Sequence, residues 1–138
     1  MQRVLVFGTF DVVHPGHIHL FKEAKKFGDE LFVVVARDET VLKIKGKLPL
    51  HDEKERLRQV NSLDVVNKAV LGNKGDKFKV IEKLKPNIIC IGYDQNSFNN
   101  TLQEELLKRN LSVKIIKFDK GHLPEVYKSS KIKNKFGL

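Results

Sequence analysis

Cysteine is all but missing from this chain: Cys90 stands alone among 138 residues. A lone thiol makes no internal disulfide, which excludes the disulfide-stapled secreted class. Its setting in "NIICIG" is that of a small buried hydrophobe rather than a redox centre. No apolar run approaches the roughly 20 residues that cross a bilayer, so no membrane partner is expected. The first residues, "MQRVLVFG", enter a strand-like run without the charged, apolar and small-residue blocks of a signal peptide, and the expected location is cytoplasmic. Acidic residues are in deficit, 17 against 26 Lys and Arg, for a net charge of +9. The excess is local: from Val113 to Leu138 seven lysines face Asp119 and Glu125, which places +5 of the +9 in that tail. A basic tail suits nucleic acid, an anionic small molecule or plain solvent. Aromatic–basic interleaving, zinc-finger spacing and an RNA-binding sheet motif are all lacking, so nucleic acid is not an expected partner.

What is present reads as one soluble domain over residues 1–138, with 41% apolar and 31% charged residues and enough chain to bury a core. Short Val- and Ile-rich runs recur at 3–7, 30–36, 68–71, 87–92 and 112–118. They are nearly continuous in apolar character, as strands buried on both faces of a parallel sheet require. Helical patterns alternate with them. After Pro15 an apolar stripe runs through Ile18, Phe21, Ala24 and Phe27, with Gly28 as its stop. "HDEKERLRQVNSL" crowds acidic residues into a first helical turn. Asp76 is placed to cap a helix carrying Phe78, Ile81 and Leu84, which Pro86 ends. Thr101 and Glu104 of "TLQE" read as a capping box opening another helix, and the tail from Ser129 reads as a last short one. This alternation predicts an α/β fold, a doubly wound, Rossmann-like parallel sheet of about five strands. Such sheets bind ligands beyond the carboxyl ends of their strands, where the winding reverses. The segments to inspect are therefore "GTFDVVHPGH", "RDETVLKIKGK", "GNKGDK", "GYDQNSF" and "DKGHLPEVYKSS".

The first of these carries the most chemistry. Gly8 ends a strand, and Pro15 suits the first turn of a helix. His14 and His17 then fall at that helix's positive end, where free N–H groups and imidazole donors can hold phosphate. Zinc would need a third and fourth ligand, which His19, His51 and His122 do not offer at any ligand spacing. A purely structural turn is the remaining alternative. G-x-G-x-x-G and G-x-x-x-x-G-K-[ST] are absent, and "GNKGDK" has the wrong spacing for a phosphate loop, reading instead as a surface turn.

"GTFDVVHPGH" closely resembles the H-x-G-H motif of the cytidylyltransferase-like nucleotidyltransferases. Class I aminoacyl-tRNA synthetases have a related motif, but the chain is too short to be one. Within the family it looks most like the archaeal-type FAD synthases, with glycerol-3-phosphate cytidylyltransferase as the nearest well-known relative. The resemblance runs from "GTFD" through "GDELFVVVARDETV", "GKLPLHDEKERL" and "GYDQ" to "SSKIK". It implies the H-x-G-H nucleotidyltransferase fold and attack of an acceptor phosphate on the α-phosphorus of a nucleoside triphosphate, with pyrophosphate leaving. By that resemblance His14 and His17 hold the triphosphate and stabilise the transition state, with Lys47 as a further catalytic cation. Thr9, Phe10, Pro15, Gly16 and, after the fourth strand, Asp94 contact the nucleotide. Asp11 and Asp38 match acidic positions that face a divalent ion or orient the acceptor; turn or capping aspartates are the alternative. Lys47 and Arg56 match basic positions that neutralise phosphates, with exposed salt-bridging side chains as the alternative. His122 falls in the stretch that lines the nucleotide pocket. Where cytidylyltransferases carry R-T-x-G-I-S-T-T, this chain has "KGHLPEVYKSSKIK". Ser129 and Ser130 fit the end of that motif, but its arginine and glycine are missing, as are the tail cysteines common in archaeal FAD synthases.

The expected activity is FMN adenylyltransferase, making FAD and pyrophosphate from FMN and ATP. The alternatives are CMP transfer from CTP to glycerol-3-phosphate or another small phosphate, and a sugar-phosphate nucleotidyltransferase. A different class is a non-catalytic nucleotide- or RNA-binding module that uses the basic tail. The expected cofactor is Mg or a similar divalent ion carried by the nucleotide near Asp11, with no tightly bound metal. Family analogy implies a homodimer.

Overall fold

Successive residues of a strand face opposite sides of its sheet, and in this chain both sides are apolar. The computed structural model describes residues 2–76, 78–92 and 96–118, without the side chains of 96–99. Its strands are β1 (Arg3–Gly8), β2 (Glu30–Val35), β3 (Lys68–Leu71), β4 (Ile88–Ile91) and β5 (Lys114–Lys117). They form one sheet in the order β3-β2-β1-β4-β5, every pair parallel. Val4, Val6, Leu31, Val33, Val35 and Cys90 face one side, where Phe21 and Ala24 of α1 (Pro15–Lys25) and Val60 of α3 (Glu53–Asn61) close over them. Leu5, Val34, Ile89 and Ile91 face the other. There they meet Val80 and Ile81 of α4 (Lys79–Leu84) and Leu102 and Leu106 of α5 (Asn96–Lys108). The doubly wound α/β sheet read from the sequence is the observed one. Burial also pushes the Cys90 thiol pKa up, away from the reactive thiolate.

The winding runs from β1 outward through β2 to β3, then returns to β4 on the far side of β1. That reversal opens a crevice at the carboxyl ends of β1 and β4, onto which the Thr9–Val13 loop emerges.

Two helices depart from the expected pattern. Asp38–Lys45 forms α2 inside the segment "RDETVLKIKGK" that the pattern leaves as a loop. Asp38 and Glu39 at its start, Lys43 and Lys45 at its end, and Gly46 in the left-handed region at φ 79° account for it. It buries Val41 alone and so shows no apolar stripe to a periodicity search. Second, α5 begins at Asn96, so Thr101 and Glu104 lie inside it and do not form the opening capping box. Leu102 and Leu106 nevertheless face the core as expected. Asp76 does serve the entry to α4: its Oδ1 accepts from the Phe78 N–H at 3.0 Å. Gly28 closes the last turn of α1 through its N–H to the Lys25 carbonyl at 3.1 Å. The short helix read from Ser129 lies outside the described residues.

The β3 edge of the sheet carries an unusual partner. The Asn61 side chain accepts from the Ala69 N–H at 2.8 Å and donates to the Ala69 carbonyl at 3.2 Å.

Candidate active site

The first turn of α1 is closed by imidazoles. His14 is the N-cap, extended at φ −134° and ψ 172°, with Pro15 following it inside the helix. Its Nδ1 accepts from the Gly16 N–H at 3.0 Å, while the His14 N–H donates to His17 Nδ1 at 3.3 Å. This is a capping box with imidazoles where serine and glutamate usually stand. The consequence is chemical. With Nδ1 of each ring accepting, the hydrogen of each neutral imidazole resides on Nε2. The two rings stack at 3.9 Å between centroids, 24° from parallel.

The backbone does not behave as the sequence reading expects. The Gly16 N–H is taken by His14 Nδ1, and the N–H groups of His17 and Ile18 both go to the His14 carbonyl, at 2.9 and 3.2 Å. Pro15 has none. The helix end therefore keeps its dipole, but its first amides are already taken within the turn.

Close packing fixes the small residues around this pair. A Cβ on Gly16 would lie 2.8 Å from His14 Cε1, so the ring can fold back over the helix start because position 16 has no side chain. A Cβ on Gly8 would lie 2.5 Å from Phe10 Cζ. Phe10 itself adopts φ 53°, an unfavourable left-handed conformation for a residue with a side chain. What it gains is burial: its ring is 5% exposed, edge-on to His17 at 5.3 Å and to Phe21 at 5.1 Å. Phe10 thus supports His17 from beneath.

Arg56 is a fully buried side chain, at 0% exposure. Nε donates to the His51 carbonyl (3.0 Å), Nη1 to the carbonyls of Thr9 (2.9 Å) and Ala36 (2.8 Å), and Nη2 to Asp38 Oδ1 (2.7 Å). One guanidinium thereby joins the ends of β1 and β2, the α2–α3 loop and the start of α2. This corrects the reading of Arg56 as an exposed salt-bridging residue: the ion pair is present, but it is buried. A grip on phosphate would require leaving these partners. Asp38 correspondingly spends an oxygen on Arg56.

Asp11 fastens the neighbouring loop. Its Oδ2 accepts from the Leu50 N–H at 2.7 Å and its Oδ1 from the His51 N–H at 2.8 Å, while the His51 ring Nδ1 lies 2.8 Å from the Asp11 carbonyl. Partial burial opposes the charge, but the His51 and Leu50 amides and the His51 ring outweigh it and hold the Asp11 carboxyl below its usual range. Lys47 lies exposed on the same loop. The structure therefore brings Thr9, Phe10, Asp11, His14, Gly16, His17, Asp38 and Arg56 into one connected region. Asp94, His122, Ser129 and Ser130 lie outside the described residues. No group of three His, Cys, Asp or Glu that could hold a metal occurs among the described residues.

Sequence reasoning missed two contributors. His51 was considered as a metal ligand alone, yet it mediates the Asp11 clamp. Glu53 was read as a dipole partner, yet its carboxylate accepts from the Asp38 N–H at 2.9 Å and pairs with Arg37 at 3.2 Å. The signal was present in "LPLHDE", a turn with the polar residues a cap and clamp need, but its targets are distant in sequence.

Known proteins resemble this chain in sequence and fold. The family model described as cytidylyltransferase-like matches residues 5–135. A FAD synthase from Thermoplasma volcanium is 48% identical over 120 residues, 87% of this chain and 84% of its own. A FAD synthase from Archaeoglobus profundus is 47% identical over 132 residues, 96% of this chain and 84% of its own. Among solved structures, a lipopolysaccharide core biosynthesis protein from Thermoplasma volcanium superposes with a TM-score of 0.80 at 48% identity, covering 87% of this chain and 98% of that one. Pantoate-beta-alanine ligase from Francisella tularensis shares the fold alone, with a TM-score of 0.64 at 16% identity, over 96% of this chain and 66% of that one. A family model spanning nearly the whole sequence, relatives near half identity and an imidazole-capped helix at the reversal of the sheet agree: the chain belongs to the cytidylyltransferase-like family.

Proposed function

We propose that this chain is a single-domain FMN adenylyltransferase, forming FAD and pyrophosphate from FMN and ATP. The observation that carries the reading is the stacked imidazole pair, whose Nε2–H donors lie at the reversal of the sheet, on a chain 44–48% identical to FAD synthases over most of its length. An oxygen of the FMN phosphate attacks the α-phosphorus of ATP, a new P–O bond forms, and the bond to the β-phosphate oxygen breaks with pyrophosphate leaving. The acceptor phosphate is already ionised at neutral pH, so the protein's task is positioning and charge stabilisation rather than proton removal. His14 and His17 donate to phosphate oxygens from Nε2, on rings held by the helix cap. Lys47, on a loop that Asp11 and Arg56 hold in place, adds a cation. Thr9, Asp94, His122, Ser129 and Ser130 are proposed to contact the nucleotide.

A divalent ion bound with ATP would supply neutralisation of the triphosphate. Asp11 and Asp38, held in place by the Leu50 and His51 amides and by Arg56, would face an ion that arrives on the nucleotide. No helix among the described residues is long and apolar enough to cross a membrane, in keeping with a cytoplasmic enzyme of small molecules.

The test is purified protein with ATP or CTP and either FMN or glycerol-3-phosphate, followed by chromatography and pyrophosphate release. FAD forming from ATP alone, and lost after exhaustive chelation, is the expected outcome. CDP-glycerol from CTP with no flavin product would replace this reading with cytidylyl transfer. A sugar-phosphate acceptor is favoured by one observation, the lipopolysaccharide core biosynthesis description of the solved relative. A sugar phosphate in the same assay tests it.

A further inference from the structure

We propose that Val12, Leu48 and Leu50 form an apolar seat for the ring system of the acceptor, next to the imidazole pair. The inference rests on the FMN reading, which supplies an acceptor with a flat aromatic system at one end and a phosphate at the other. Single exposed apolar residues are ordinary, whereas neighbouring ones mark a contact. Val12 is 52% exposed, Leu48 61% and Leu50 79%. The Leu50 and His51 amides are bonded to the carboxylate of Asp11, the residue directly before Val12 and three before His14. The apolar lip is thereby fastened to the loop that leads into the phosphate-holding helix.

Charge selects the occupant. Lys45 and Lys47 are exposed beside Leu48, so the lip sets cations next to apolar surface, matching an acceptor that joins a neutral ring system to an anionic phosphate. A second copy of the chain docked here through a two-fold axis would set the same lysines near their own copies, a like-charge contact. The acceptor fits where the second copy repels.

The experiment compares wild type with the double variant Leu48→Ser/Leu50→Ser and with Leu107→Ser, a control at an 82% exposed site on α5. FMN binding is read by flavin fluorescence, FAD formation by steady-state kinetics and mass by light scattering. The double variant is expected to bind FMN at least about tenfold more weakly, with a matching rise in KM for FMN and a KM for ATP within twofold of wild type. Leu107→Ser is expected to change none of these. Unchanged FMN affinity in the double variant overturns the proposal. So does a fall from dimer to monomer accompanying the loss, which would assign the lip to a subunit interface. Wild type that makes no FAD defeats the FMN reading itself, whereas wild type that makes FAD beside an unaffected double variant defeats this inference alone.

Discussion

Replacing Arg56 with methionine would remove four hydrogen bonds and leave their acceptors behind. The methionine fills much of the volume, so the loss is chiefly polar. Three carbonyls, of Thr9, Ala36 and His51, and the Asp38 carboxylate lose a donor that is completely shielded from water. Substituting both members of a buried ion pair can be neutral, but removing one costs about 3–5 kcal/mol. An orphaned buried carbonyl adds about 1–3 kcal/mol before relaxation. Asp38 is 30% exposed and can turn to water, and the two loops can yield, so a total near 4 kcal/mol follows. That is a large share of the roughly 5–15 kcal/mol that stabilises a typical domain. At about 3–5 °C per kcal/mol for a chain of this size, the thermal midpoint should fall by about 12–20 °C. Far-UV circular dichroism through thermal and urea transitions measures it, with the urea slope expected to stay at its wild-type value. Arg56→Lys keeps a charge but cannot span four acceptors, and should recover part of the loss. A methionine variant unfolding within about 3 °C of wild type would refute the reasoning, because it would mean that the strand ends hold together without the guanidinium.

Other outcomes follow from the same geometry. His17→Ala should lower turnover at least about a hundredfold, while the lost cap costs only about 0.5–2 kcal/mol of stability; an active variant, or one that is unfolded at the assay temperature, would take the catalytic role from His17. Gly8→Ala should displace the Phe10 ring, whose Cζ lies 2.5 Å from the new Cβ, costing about 1–3 kcal/mol in a denaturation curve; pairing it with Phe10→Leu should return part of that stability. Asp11 has a lowered pKa when folded, so its contribution is complete above the ordinary aspartate value of about 3.9 and is lost as the pH falls through its own lower value. Asp11→Asn should therefore flatten the acid limb of the stability–pH profile below about pH 4, and an unchanged profile would show that the loop clamp does not depend on that charge.

The sheet was legible in the sequence because its strands are buried on both faces: "VLVF", "LFVVV" and "IICI" leave no other pattern for those residues. The H-x-G-H stretch was legible as a strand-to-helix turn, since Pro15 suits the first turn of a helix that follows the end of β1. What it could not reveal is that the imidazoles cap the helix themselves and consume the amides that a phosphate would otherwise find. Nor does "EKERLR" distinguish Arg56 from Arg58, one buried with four partners and the other bonded to Glu55 at the surface. That difference is set by carbonyls 20 and 47 residues away. A helix such as α2, held by its end charges and a terminal glycine with one buried side chain, gives periodicity nothing to detect.

The amide that Asn61 lays along Ala69 is a peptide group in all but connectivity. Edge strands invite further chains because their outward N–H and C=O groups wait for a neighbour, and here one such residue has found it within its own molecule. A strand arriving at β3 would have to break two bonds before making any. Edge-to-edge pairing of one sheet with the next therefore meets a residue already partnered, secured without the proline or bulge that other proteins place there.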